Sequence, residues 1–168
     1  CVLEQAACAR QSIHGIHDMA GGRLRCYYRR NRLRQNDVVT IVLSDLGNDV
    51  VCTVVSQTQL NPTQFLQAVL TEFGFKPFKK RKVRLLDRLN MFLIEQYSNG
   101  KKGVLIVDEA HNLRDKVLEE IRLLSGIETH KEKVLRIILA GQPELRDTLE
   151  KPGMKQLVQR VRLKFHIG

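Results

Sequence analysis

The sequence predicts an α/β fold, one parallel sheet with helices laid over both faces. Two observations carry this. The runs Val50–Val55, Gly103–Val107 and Val134–Leu139 are short, continuous and apolar, as strands buried on both faces are. Stretches with helical apolar spacing separate them, and strands alternating with helices mean parallel crossovers. The 168 residues, 43% apolar and 27% charged, suit a single domain with its own core.

Each element has its own signal. Residues 2–19 read as a helix through Leu3, Ala6, Ala7, Ile13 and Ile16, stopped by Gly21-Gly22. Asn61-Pro62 opens a helix with a capping residue and a first-turn proline. Its stripe is Phe65, Leu66, Val69, Leu70 and Phe73, and Gly74 ends it. Leu85, Leu86, Leu89, Phe92 and Leu93 form the next stripe, closed by Asn99-Gly100. Val117, Leu118, Ile121 and Leu124 mark another helix, and Pro143-Glu144 opens one more. After Pro152-Gly153 a helix continues through Leu157 and Val158 toward Arg160. Val161, Leu163, Phe165 and Ile167 alternate with polar residues, the pattern of an edge or half-buried strand.

Composition excludes several classes. No apolar run approaches a membrane span, and no signal peptide is legible. Aromatics are 5% and Trp is absent, which argues against a single-strand binder built on base stacking. Cys1, Cys8, Cys26 and Cys52 show no C-x-x-C pair or disulfide spacing, which suits a reducing, cytoplasmic setting. His14 and His17 lie three apart with only Asp18 beside them, too little for a metal site. Cys52 reads as a small buried hydrophobe. A start at Cys1 rather than Met reads as a fragment.

The net charge of +10 is uneven. Arg23, Arg25, Arg29, Arg30, Arg32 and Arg34 lie in one stretch with no acid, no period of two and no helical stripe. Lys76, Lys79, Lys80, Arg81, Lys82 and Arg84 form a second cluster, read as a solvated loop ahead of a helix. Such charge invites a nucleic-acid reading.

Ligands of open parallel sheets bind outside the carboxyl ends of the strands. There, Val104–Val107 runs abruptly into Asp108-Glu109, which resembles a Walker B element. A carboxylate at a rigid strand tip can hold Mg²⁺, largely through water, and its neighbour can polarise an attacking water. The alternative is a solvated turn. Gln142 follows the third strand and would sit at the next tip, able to sense a γ-phosphate. The alternative there is an exposed residue at a helix start. Arg160, at a helix end before a strand, could reach a neighbouring subunit's nucleotide as an arginine finger. The alternative is a surface arginine.

Longer stretches give a specific resemblance. VLIVDEAHNL (104–113), EEIRLLSGIET (119–129) and ILAGQPELRDTLEKPGMKQLVQRV (138–161) resemble the AAA+ ATPase domain of the general secretion pathway protein A (ExeA-like) family. NPTQFLQAVLTEFGF (61–75) and HGIHDMAGG (14–22) fit the same pattern. The tetrad Asp108–His111 is also similar to that of helicases, but the chain is too short for two motor lobes. The resemblance implies a three-layer P-loop NTPase core, incomplete here and without its lid subdomain. It implies ATP and Mg²⁺ as cofactors, with Asp108 positioning the metal, Glu109 activating water, Gln142 sensing the γ-phosphate and Arg160 acting in trans. It also implies a homo-oligomer working with secretion-pathway membrane proteins at the inner membrane face. Transposition-type AAA+ ATPases share the layout.

One part of the pattern is missing. The family carries a phosphate loop, G-x-x-x-x-G-K-[ST], between the first helix and residue 43. This chain has no Gly between Gly22 and Gly47, and no Lys before Lys76. The arginine run stands in its place. Codons for Cys26 through Asp37, read one base later, can spell Ala-Ile-Thr-Gly-Glu-Ile-Gly-Cys-Gly-Lys-Thr-Thr, a strand end and a complete phosphate loop. The middle bases of Gln35 and Asn36 are forced to begin the Lys and Thr codons. Residues 23–42 therefore read as out of frame between two compensating frame changes, and the literal chain is expected to be defective in ATP binding. The rival reading, from another class, is a non-catalytic basic module that binds nucleic acid through Arg23–Arg34.

Overall fold

The computed structural model describes residues 24–29, 47, 49–57, 59–76, 81–128 and 132–167, with only the backbone for 24–29 and 161–167. Five strands form one parallel sheet: β1 (Leu24–Arg29), β2 (Val50–Val55), β3 (Lys102–Val107), β4 (Leu135–Gly141) and β5 (Val161–Ile167). Their spatial order is β2-β3-β4-β1-β5. The helices are α1 (Pro62–Glu72), α2 (Lys82–Ser98), α3 (Asp115–Leu124), α4 (Glu144–Glu150) and the single turn α5 (Lys155–Val158). The expected helix over 2–19, with His14 and His17, lies outside the described residues.

Local chemistry explains the elements. Asn61 caps α1: its side chain accepts from the Gln64 N–H, and the Gln64 side chain accepts from the Asn61 N–H, both at 2.9 Å. This reciprocal box satisfies two otherwise orphaned donors. Gly74 (φ +92°) and Gly100 (φ +76°) supply the left-handed residues that end α1 and α2. Val104, Leu105, Ile106 and Val107 are all buried, so both faces of β3 are covered. Leu105 and Val107 join Phe65, Leu66, Val69, Leu85, Leu89 and Ile121 in the main core.

Gly103 opens β3 where a side chain would not fit. A Cβ there would lie 2.7 Å from Leu93 Cδ2 and 2.9 Å from the Val134 carbonyl oxygen. Because the second obstacle is backbone, Gly103→Ala is expected to destabilise the fold by about 1–3 kcal/mol. Chemical denaturation would show it as a lower midpoint at unchanged slope.

Three features differ from the sequence reading. The arginine stretch, read as irregular, contains β1, which lies between β4 and β5. Its ladder follows from backbone pairing on both sides, Cys26 with Leu139 and Lys164, so no alternation of side chains announces it. Lys82, assigned to a solvated loop, opens α2 and pairs with Glu120 Oε2 at 2.5 Å. Glu120 is 2% exposed, and its other oxygen has no partner among the described residues. Cys52 is half-buried rather than buried, and burial pushes its thiol up to about 11, partly offset by a backbone hydrogen bond with Thr53. Since the thiolate is the reactive form, Cys52 should alkylate at pH 8 roughly a hundredfold more slowly than a free cysteine. Peptide-resolved mass spectrometry with iodoacetamide would read the rate.

Candidate functional site

β3 and β4 end side by side, with Val107 level with Leu139. One residue past β3, the Asp108 N–H donates to the Val55 carbonyl at 3.0 Å. That bond extends the β2–β3 ladder and fixes Asp108 at the strand tip. The Asp108 Oδ1 accepts from the Glu109 N–H at 2.9 Å. Asp108 is half-buried, so one carboxylate oxygen is tied to the backbone and the group stays near solvent.

Glu109 then reverses the chain. Its backbone is left-handed (φ 52°, ψ 34°), and it is the only non-glycine residue among those described with positive φ. Such a conformation costs on the order of 1 kcal/mol or more and concentrates at functional sites. A 3-10 turn, Ala110–Asn112, follows immediately. The turn brings His111 back over Glu109, with Nε2 3.3 Å from Glu109 Oε2.

β4 reaches the same turn from the other side. A Cβ on Gly141 would lie 3.1 Å from His111 N and 3.4 Å from Ala110 N, so the absent side chain permits the approach. The Gln142 N–H donates to His111 Nδ1 at 3.2 Å. Gln142 itself is exposed and precedes α4. Asp108, Glu109 and Gln142 are thus brought to one end of the sheet. β1 ends there too, since Tyr28 lies level with Gly141. The end of β1 therefore lies beside the tips of β3 and β4.

Arg160 lies elsewhere. Its Nη1 donates to the Arg122 carbonyl at 3.1 Å and to Ser125 Oγ at 3.2 Å. These groups close the carboxyl end of α3, where the chain turns back toward the start of β4; the start of β5 lies there too, so in this parallel sheet Arg160 sits at the end opposite the strand tips. Arg160 also helps to hold two carboxyls below their ordinary range, after larger effects of Arg122 on Glu119 and Lys133 on Glu128. Within one chain it does not meet the acids at the strand tips.

The donor set suits Mg²⁺, which takes one or two carboxylates, several waters and substrate phosphates rather than an all-protein cage. No cluster of three or more His, Cys, Asp or Glu side chains that could hold a metal occurs among the described residues. Asp108 fits the metal end of such a ligand. The triphosphate end requires backbone donors and a lysine, and residues 23–42 contain neither glycine nor lysine. His111 escaped the sequence reading except as a letter of the tetrad. Its position depends on the left-handed turn at Glu109 and on the close approach of Gly141, neither of which has a periodic signature.

Known proteins share the sequence family and the fold of this chain. Residues 25–149 match the AAA domain family. General secretion pathway protein A of Aeromonas hydrophila is 34% identical over 127 residues, which are 75% of this chain and 23% of that protein. The fold resembles the Aeropyrum pernix ORC2 protein in its ADPNP-ADP complexes, at TM-score 0.72 and 17% identity, covering 98% of this chain and 47% of that one. It also resembles a chain of Drosophila ORC bound to AT-rich DNA and Cdc6, at TM-score 0.65 and 13% identity, over 98% of this chain and 29% of that one. No helix among the described residues is long and apolar enough to cross a membrane. The chain belongs to the AAA domain family, as an AAA+ ATPase domain of the general secretion pathway protein A type.

Proposed function

We propose that this domain descends from a motor that hydrolyses MgATP to drive assembly work in a secretion pathway, and that the chain as written binds ATP poorly. The observation that carries the reading is the convergence of three strand ends. β1 stops at Arg29, level with the tips that hold Asp108, Glu109 and Gln142. The shifted reading places Ala-Ile-Thr over Cys26–Tyr28 and begins the glycine loop at Arg29. An apolar segment then occupies the central strand, and the loop emerges at the crevice. The literal strand, with Arg25, Tyr27, Tyr28 and Arg29, is out of keeping with the apolar strands of the same sheet.

In the restored domain, each residue has a role. Asp108 would hold Mg²⁺, which would supply positive charge against the charge that develops on the phosphates. Glu109 accepts a proton from the attacking water as its oxygen bonds to the γ-phosphorus. The bond from that phosphorus to the oxygen bridging the β-phosphate breaks, and ADP and phosphate leave. Gln142 donates toward the γ-phosphate. Arg160 acts on a neighbouring copy's nucleotide, in keeping with its distance from the acids of its own chain. We also propose a homo-oligomer with secretion-pathway membrane proteins as partners at the inner membrane face, a reading supported by the likeness to general secretion pathway protein A. The basic-arm alternative loses ground because the first half of the arginine run is a paired central strand.

The test is to rebuild Gly-Glu-Ile-Gly-Cys-Gly-Lys-Thr across residues 29–36 within the shifted frame and to measure ATP binding and turnover. A rebuilt, folded chain that binds no nucleotide would refute the reading. The nucleotide sequence beneath residues 20–45 gives a second check.

A further inference from the structure

We propose that His111 is a positioning residue that joins the Glu109 carboxylate to the tip of β4. This rests on the hydrolysis reading for its consequence, though not for its geometry. His111 is gripped from both sides. The Gln142 N–H donates to Nδ1, so Nδ1 carries the lone pair and a neutral imidazole holds its proton on Nε2. That N–H faces Glu109 Oε2 at 3.3 Å. The side chains of His111 and Glu109 are only 13% and 19% exposed, so water competes weakly for the contact.

The arrangement has a direction. The β4 tip carries Gln142, the residue placed to meet a γ-phosphate. A small movement of its backbone shifts the N–H that anchors Nδ1 and turns the imidazole. The imidazole in turn sets which oxygen of Glu109 is free to take a proton from water. The 3.3 Å separation is long for a hydrogen bond, as contacts around a catalytic base often are before the reactants bind. His111 therefore reports to the base whether the β4 tip is engaged. It touches no reacting atom itself.

Two isosteres divide the grip. His111→Asn keeps an acceptor near the Nδ1 position and loses the reach to Glu109. His111→Gln keeps a donor near the Nε2 position and weakens the anchor to Gln142. In the chain as it exists, long-range ¹⁵N–¹H correlation spectra should show His111 as the Nε2–H tautomer. The Gln142 amide resonance should move in His111→Gln and stay in His111→Asn. An Nδ1–H tautomer, or a Gln142 amide indifferent to both variants, overturns the proposal, whatever the chain does with nucleotide. In the rebuilt chain, His111→Asn should lower kcat by about tenfold or more with KM unchanged, in line with losses from outer partners of reacting groups. A fall in KM affinity alone, or kcat at the parent level, also overturns it. Failure of the rebuilt chain to bind ATP sinks the hydrolysis reading, while the tautomer and the amide shift still decide the grip.

Discussion

Restoring a glycine loop and its lysine across residues 29–36 is expected to tighten ATP binding by about four decades. The magnitude follows from counting donors. A phosphate loop supplies several backbone N–H groups and one lysine to the β- and γ-phosphates. Charge-assisted hydrogen bonds of this kind contribute roughly 1.5–3 kcal/mol each, so four give about 6 kcal/mol or more. The literal segment cannot substitute. Its arginines carry charge, but a cradle requires N–H groups that converge on one oxygen, and side chains with beta carbons crowd that approach. Asp108 and Glu109 cannot compensate either, since they address the cation and the water. Isothermal titration of the literal and rebuilt chains, both with Mg²⁺, measures the difference directly. An affinity gain below tenfold would mean that the strand ends do not cradle a triphosphate.

The sheet and helices were legible because buried parallel strands and amphipathic helices write themselves in composition and period. The capping pair at α1 was half visible: Asn61 and Pro62 announced the start, while the reciprocal role of Gln64 needed the backbone. The acids at the tip of β3 stood out because four apolar residues precede them. β1 stayed hidden for the opposite reason. Its place is set by two neighbours more than a hundred residues later, and its own residues are charged and aromatic. Arg160 was visible as a residue but not as a partner of the end of α3, since its bonds span 35 and 38 residues of chain. Glu120 carries no signal of its own in the sequence, and only packing makes it a buried half of an ion pair.

Glu109 is expected to separate stability from turnover, because its backbone and its carboxylate serve different ends. Glu109→Gln in the rebuilt chain keeps the left-handed turn and removes the base. Turnover should fall by about 10²–10⁴-fold, the usual worth of a positioned general base, with ATP affinity close to the parent. Glu109→Gly removes the same base and also relieves the strain of a side chain at φ 52°. It should match the glutamine variant in lost turnover while raising stability by about 1 kcal/mol. The opposing movement is the informative part. A residue held in a costly conformation for packing alone would lose stability on either substitution, since its contacts would be the reason for the turn. One held there to aim a carboxylate gains stability when the aim is abandoned, because natural chains tolerate such strain only where function requires it. Thermal or urea unfolding beside single-turnover hydrolysis reads both quantities on the same samples. If the glycine variant unfolds more easily than the parent, the turn at Glu109 belongs to the architecture of the sheet and not to its chemistry.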